Sequence, residues 1–292
     1  MKIAPTHTKK KISKNTKTTA FKDGCKVGNG KECTCKPKDG VKVWTECGDS
    51  LEAMKKLPDK SVDLIITDPP YQMECSGAGL ACKRKVYNGE LDKITDGISN
   101  EYLEEMYRVM KTPNIYLWCN KEQVPQYLDF FHKEKGCNFD ILTWHKTNPT
   151  PLCGNTYLPD TEYCLFFRKN AKLLGRYATK HRYWLTTTNK VDKDKYDHPT
   201  VKPQHIIENL IENSSKPGDV VLDPFMGSGT TGAAAVKMGR SFAGYEWDPK
   251  FYKTAVDRIC STKCELTADA DMKPAPKAIK GGKKKHEAKT AS

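Results

Sequence analysis

The chain has 292 residues, 37% of them apolar and 29% charged, with a formal net charge of +13. That length is ample for a sizeable core, as one large domain or two small ones, while the low apolar fraction means that part of the chain is not packed. The charge excess sits at the ends: residues 1–22 carry seven lysines and no acid, residues 273–292 carry seven lysines and one glutamate, and the middle is balanced.

No apolar run approaches the length of a membrane span, and the basic N-terminus lacks the apolar segment of a secretory signal. A soluble, intracellular protein with no membrane partner is expected, its twelve cysteines reduced. Residues 1–40 and 266–292 show neither helical nor strand periodicity. They are expected to be a basic, cysteine-containing arm and a Lys-rich tail, both disordered. Such tails solubilise a protein or draw it to a polyanion such as DNA, and composition alone does not choose. Cys25, Cys33, Cys35 and Cys47 lie close together, but their spacing matches no standard zinc module. Unliganded thiols and no metal are expected there.

From Val41 the pattern becomes regular. VKVWTE alternates as a strand, SLEAMKKL follows at helical spacing, and VDLIIT is a second strand. After a polar loop at 72–96, NEYLEEMYRVMK reads as helix, NIYLWCN as strand, EQVPQYLDFFHKE as helix, and FDILTWH and TEYCLFFRK as strands. Residues 169–197 lose periodicity and gain basic and aromatic side chains. Order returns with PQHIIENLIENS as helix, DVVLDPF as strand, SGTTGAAAVKMG as helix, SFAGYEWD as strand, and PKFYKTAVDRI as a helix that Pro249 opens. Strands alternating with helices predict an α/β protein with a parallel sheet and right-handed crossovers. One domain is expected over 41–265, with a short insert at about 169–197.

In DVVLDPFMGSGTTG a strand ends at Asp223, a tight turn holds Gly227 and Gly229, and a helix begins at about Ser228 to Thr231. Glycines here let the backbone approach a ligand, and the helix N-terminus favours a negative group such as an amino-acid carboxylate. Glu246, nineteen residues past Gly227, ends the next strand where an acid can bind the two ribose hydroxyls of an adenosine. The third glycine of the dinucleotide fingerprint is missing. A single adenosine with an amino acid attached fits the pattern better than a dinucleotide.

The second strand stops on Asp68-Pro69-Pro70-Tyr71. Neither proline has an N–H to donate and both fix φ, so a carboxylate and an aromatic ring are held stiffly at a strand tip. Together DPPY and DPFMGSGTT resemble the two signatures of amino-group DNA methyltransferases that use S-adenosylmethionine. DPPY precedes the glycine turn by about 155 residues, the permuted order that resembles the β class of adenine-N6 or cytosine-N4 enzymes. HPTVKP, His198 to Pro203, is similar to that class's segment near the methionine carboxylate, and GDSLEAM to its adenine contact. The resemblance spans about residues 41–262.

The resemblance implies a Rossmann-like methyltransferase fold with a mostly parallel seven-stranded sheet and helices on both faces. It implies cofactor contacts at Asp49, Thr200, Lys202, Asp223, Phe225, Gly227, Ser228, Gly229 and Glu246. An exocyclic amine is a poor nucleophile because its lone pair is delocalised into the ring. In the family picture the Asp68 carboxylate and the Pro69 carbonyl accept its hydrogens, Pro70 adds stiffness, and Tyr71 stacks on a flipped base.

Two basic segments are expected to meet the nucleic acid: Lys83, Arg84 and Lys85 in the loop after DPPY, and Arg176, Lys180, His181 and Arg182 before Tyr183 and Trp184. The plain alternative is a solvated surface loop. His145 reads as a strand-end histidine rather than a catalytic base. Asp68 in DPPY favours adenine over cytosine as the target. RNA or protein-glutamine methyltransferases generally have the glycine turn first, and an inactive DNA-binding scaffold would usually have lost one of Asp68, Tyr71, Gly227, Gly229 or Glu246. The partners compatible with this reading are double-stranded DNA, a second copy of the chain and a cognate restriction endonuclease, in a bacterial or viral-host cytoplasm.

Overall fold

The computed structural model describes residues 40–71, 97–149, 155, 157–187, 194–196 and 200–272, together with two short antiparallel strands, Lys26–Val27 and Lys31–Glu32. The main sheet has eight strands: β1 (Val43–Cys47), β2 (Leu64–Thr67), β3 (Asn114–Cys119), β4 (Asn138–Lys146), β5 (Thr161–Arg168), β6 (Tyr183–Thr186), β7 (Val220–Asp223) and β8 (Ser241–Glu246). Their spatial order is β1-β8-β7-β2-β3-β5-β4-β6. Neighbours pair in parallel except at β5, which runs against both β3 and β4.

The central strands are apolar on both faces, as a parallel strand covered from both sides must be. Every residue of β2 and of β3 is buried. Successive side chains alternate between two cores. Leu64 and Ile66 pack with α4 (Gln204–Ser214), α5 (Thr230–Lys237) and α6 (Pro249–Met272). Ile65 packs on the other face with α1 (Ser50–Met54), α2 (Asn100–Val109) and α3 (Val124–Tyr127, continuing as π-helix over Leu128–Glu134).

The chain leaves β2 through α2 toward β3 on one face, and leaves the adjacent β7 through α5 toward β8 on the other. The connections diverge, so a crevice opens at the carboxyl ends of β2 and β7, the topological switch point where open α/β sheets bind ligands.

Among the described residues the sheet has eight strands, not the seven expected. The extra one, β6, comes from the segment read as aperiodic and pairs in parallel with β4. It is four residues long, buries Trp184, and leaves Tyr183 and Leu185 exposed at the sheet edge, too short a run for a two-residue period to show. Helix α6 runs through Met272, past the start of the expected tail. Nothing in ELTADADM breaks a helix, and Pro274 is the first residue that must. Cys47, Cys119, Cys137 and Cys164 are free thiols, whereas Cys260 is disulfide-bonded, against the expectation of reduced thiols throughout. Its partner is not among the described side chains. Cys25, Cys33 and Cys35 lie outside the described residues, and no cluster of metal-ligating side chains occurs among those described. No helix among the described residues is long and apolar enough to cross a membrane.

Candidate active site

The tips of β2 and β7 are tied together by the buried Thr67 hydroxyl, which donates to Asp223 Oδ1 at 2.7 Å. Asp68–Tyr71 follow directly. Gln123, fully buried, donates to the Pro70 carbonyl at 2.9 Å and to Tyr127 Oη at 3.0 Å. That bond fixes the Pro-Pro corner through the Pro70 carbonyl. No donor among the described residues takes the Pro69 carbonyl.

Asp68 is asymmetrically engaged. Its Oδ2 receives the Lys202 ammonium, while its Oδ1 is buried and has no partner among the described residues. Lys202 stands in the loop before α4 and is itself buried. It lies 3.2 Å from Glu162 Oε2 and 3.3 Å from Tyr71 Oη, with its charge 5.6 Å and 5.3 Å from the Tyr71 and Trp118 ring centroids. Glu162 belongs to this end of the sheet because β5 is antiparallel, so its start lies beside the other strands' ends. The Lys146 ammonium, at the end of β4, meets Glu162 Oε1 at 2.6 Å. Burial opposes ionisation of Glu162, yet Lys202 and Lys146 hold its carboxyl down to about 2. Burial likewise opposes the charge on Lys202, but Asp68 and Glu162 outweigh it and raise its pKa above the usual lysine range. Burial, with Asp68 and Glu162, pushes the Tyr71 phenol well above its ordinary value, so the ring is neutral.

The second half of the crevice is built on β7 and β8. Gly227 and Gly229 adopt positive φ, +49° and +77°. A Cβ on Gly229 would lie 2.8 Å from Ala255 Cα and 2.9 Å from its carbonyl oxygen, so glycine is required for α6 to approach the turn. Glu246, at the tip of β8, accepts from Gly227 N and Asp248 N, both at 2.9 Å. Burial raises its pKa against those two bonds. Asp223 is pushed by burial to about 7 despite hydrogen bonds from Thr67, Thr231 and Phe225 N. Ser228 and Thr230 are buried beneath Arg258, whose guanidinium also reaches Gln204 Oε1 at 3.1 Å.

Phe225 faces Tyr102 of α2, ring centroids 5.6 Å apart. The Tyr102 hydroxyl donates to Asp49 Oδ1 at 3.3 Å, and Asp49 caps α1 through Leu51 N. An aromatic pair, a helix-capping carboxylate and a backbone-held glutamate thus share the edge of one crevice. These acceptors and rings are of the kind that would suit an adenosine, an acid at a strand tip for ribose hydroxyls and aromatic faces for the base.

Of the sequence-derived site residues, Asp68, Pro69, Pro70, Tyr71, Asp223, Phe225, Gly227, Ser228, Gly229, Glu246 and Asp49 gather around this crevice. Thr200 is exposed, two residues before Lys202. Lys202 is found on Asp68 rather than at the glycine turn. Lys83, Arg84 and Lys85 lie outside the described residues. Arg176 is 3.8 Å from Glu212, and Thr179 bonds Asn213, at the far end of α4. Because α4 runs away from Lys202 and β7 returns to Asp223, Arg176 and Lys180 lie at the end of the sheet opposite the crevice. His181 is exposed beside Trp184, and Arg182 pairs with Asp140. His145 sits on β4 between Thr143 and Thr161 hydroxyls. Sequence reasoning missed Glu162, Lys146, Gln123 and Tyr102. The one available signal was an acid opening the otherwise apolar strand TEYCLFF.

A doubly wound sheet with a glycine turn and an acid-tipped strand at its switch point, and a rigid carboxylate corner beside them, is the Rossmann-like architecture of methyltransferases. The chain belongs to the N6/N4 DNA methylase family, whose model matches residues 62–257. It is 33% identical over 249 residues to the type II methyltransferase M.HinfI of Haemophilus influenzae, covering 74% of this chain and 68% of that one. It is 32% identical over 235 residues to M2.DpnII of Streptococcus pneumoniae, covering 72% and 87%. The crystal structure of an M1.HpyAVI–SAM complex superposes with a TM-score of 0.57 at 28% identity, over 74% of this chain and 98% of that one. The cytosine-N4-specific PvuII DNA methyltransferase, 16% identical with a TM-score of 0.57 over 77% and 93%, shares the fold.

Proposed function

We propose that this DNA methyltransferase transfers the methyl group of S-adenosylmethionine to the N6 amine of an adenine turned out of duplex DNA. The observation that carries the reading is the Asp68 Oδ1 atom, buried with no donor among the described residues at the end of a rigid Pro-Pro corner. A buried acceptor left without a donor is costly unless a ligand supplies one. An exocyclic NH₂ brings two N–H groups, and Asp68 Oδ1 and the Pro69 carbonyl are two acceptors on adjacent residues.

When bound, S-adenosylmethionine supplies a methyl carbon made electrophilic by a sulfonium. The protein's part is to position the amine and its charge. Asp68 and Pro69 draw the two hydrogens into their plane, so the nitrogen lone pair turns toward the methyl carbon. Asp68 and Pro69 hold the amine on which the new N–C bond would form, with the sulfonium as the leaving group that would keep the S–C electron pair. The nitrogen then gives up one proton to solvent. Tyr71, a neutral ring held near the Lys202 ammonium, offers a face on which the extruded base stacks. Glu246 would bind the ribose hydroxyls, and Tyr102 with Phe225 and Asp49 the adenine of the cofactor.

Adenine is preferred because Asp68 is an aspartate in a DPPY tetrapeptide. The test is to incubate the protein with S-adenosylmethionine and unmethylated genomic DNA, digest to nucleosides and weigh them. N6-methyladenine is the expected product. N4-methylcytosine would keep the mechanism and overturn the base, and no methylated nucleoside would overturn both.

A further inference from the structure

Four charged side chains meet behind the target-amine position: Asp68 from the end of β2, Glu162 from the start of β5, Lys146 from the end of β4 and Lys202 from the loop before α4. Two of them, Glu162 and Lys146, lie outside the tetrapeptide, the glycine turn and the HPTVKP segment. The cluster alternates in sign, Lys146–Glu162–Lys202–Asp68. Its two ammonium and two carboxylate groups cancel. Side-chain exposure is 7% for Lys202, 19% each for Glu162 and Lys146 and 25% for Asp68, so water screens it only partly.

We propose that Glu162, neutralised by Lys146, is a positioning residue for methyl transfer: it shares Lys202 with Asp68, so that Lys202 fixes one Asp68 oxygen and leaves the other for the target amine. This inference rests on the methyltransferase reading above. The geometry supports it at three points. Lys202 reaches Oδ2 of Asp68 while Oδ1 stays without a partner among the described residues. The same ammonium lies 3.2 Å from Glu162 Oε2 and 5.6 Å from the Tyr71 ring centroid. Tyr71 Oη, in turn, is 3.5 Å from Glu162 Oε2, so one carboxylate braces both the acceptor and the stacking ring. Neutrality matters as well. The attacking nitrogen becomes positive as its bond to the methyl carbon forms and the S–C bond breaks, before its proton leaves to solvent. A net positive charge behind Asp68 opposes that step and does little to the binding of a neutral base.

The test is single-turnover methyl transfer to duplex DNA by the wild type, Glu162→Gln, and the double variant Glu162→Gln/Lys146→Gln. Dissociation constants for S-adenosylmethionine and DNA are measured on the same preparations. E162Q leaves two ammonium groups against one carboxylate, and its transfer rate is expected to fall by a factor of about 10 or more with both dissociation constants within about twofold of wild type. The double variant restores neutrality and is expected to be at least about fivefold faster than E162Q, a non-additive coupling. Because it removes both charges together, it is also the variant better able to fold. An E162Q rate equal to wild type, or a double variant as slow as E162Q or slower, overturns the proposal. A wild-type protein that transfers no methyl group overturns the functional reading and this inference with it, an outcome distinct from an active wild type with an indifferent Glu162.

Discussion

Asp223 makes the stability of the fold depend on pH. It is buried at the tip of β7, and its Oδ1 accepts from the Thr67 hydroxyl at 2.7 Å and from Phe225 N at 3.1 Å. Burial moves its pKa from 3.8 to about 7 in spite of those bonds. The folded state therefore holds a proton that the unfolded state releases, across the window from about pH 4 to about pH 7. In that window stability falls as pH rises, and above it the full cost of the buried charge is present. About 3 units at about 1.4 kcal/mol each set an upper bound of about 4 kcal/mol.

Asp223→Asn keeps the acceptor oxygen for Thr67 and Phe225 and removes the charge. At about pH 8.5 the variant should melt above wild type, by about 2–4 °C per kcal/mol and so on the order of 10 °C at the bound. At about pH 4.5 the two should melt within about 2 °C of each other. Scanning calorimetry at the two pH values reads the difference directly, and the common background of other titrating groups cancels. A gap that does not change with pH, or a variant less stable than wild type at pH 8.5, would refute the reasoning.

Gly229→Ala should destabilise the fold by about 2–4 kcal/mol, since it combines a left-handed φ with overpacking against the Ala255 backbone. Urea denaturation with an unchanged slope checks it, and a midpoint equal to wild type would contradict the close approach of α6. Tyr102→Ala should weaken S-adenosylmethionine binding by a factor of about 5–30, the loss of an aromatic contact and of the hydroxyl that braces Asp49, while the single-turnover rate at saturating cofactor holds. Isothermal calorimetry gives the constant, and an unchanged affinity would remove Tyr102 from the pocket.

The two signatures were legible because each is local. DPPY is four consecutive residues whose stiffness follows from covalent geometry, and Gly227 and Gly229 sit in one turn. The buried strands announced themselves as unbroken apolar runs such as NIYLWC, and the helices by their spacing. Apart from the acid that opens TEYCLFF, nothing in the sequence marks Glu162, Lys146, Gln123 or Tyr102 as neighbours. Each is a single polar or aromatic residue on a separate element, brought to the crevice only by strand order and by the reversed direction of β5. Sequence spacing carries no trace of that. Lys202 is expected as a cofactor contact from its place in HPTVKP, and its pairing with Asp68 and Glu162 is a long-range contact that a motif position does not disclose. The edge strand β6 escaped notice because only Trp184 of its four residues is buried.

The functional reading stands on Asp68 as the acceptor of the target amine's hydrogens. Its most direct test is Asp68→Ala, with the single-turnover rate of methyl transfer to duplex DNA and the melting shift induced by S-adenosylmethionine measured on one preparation. The account predicts a rate lowered by about a thousandfold or more with the cofactor-induced shift retained. A variant that transfers within about tenfold of wild type would contradict it.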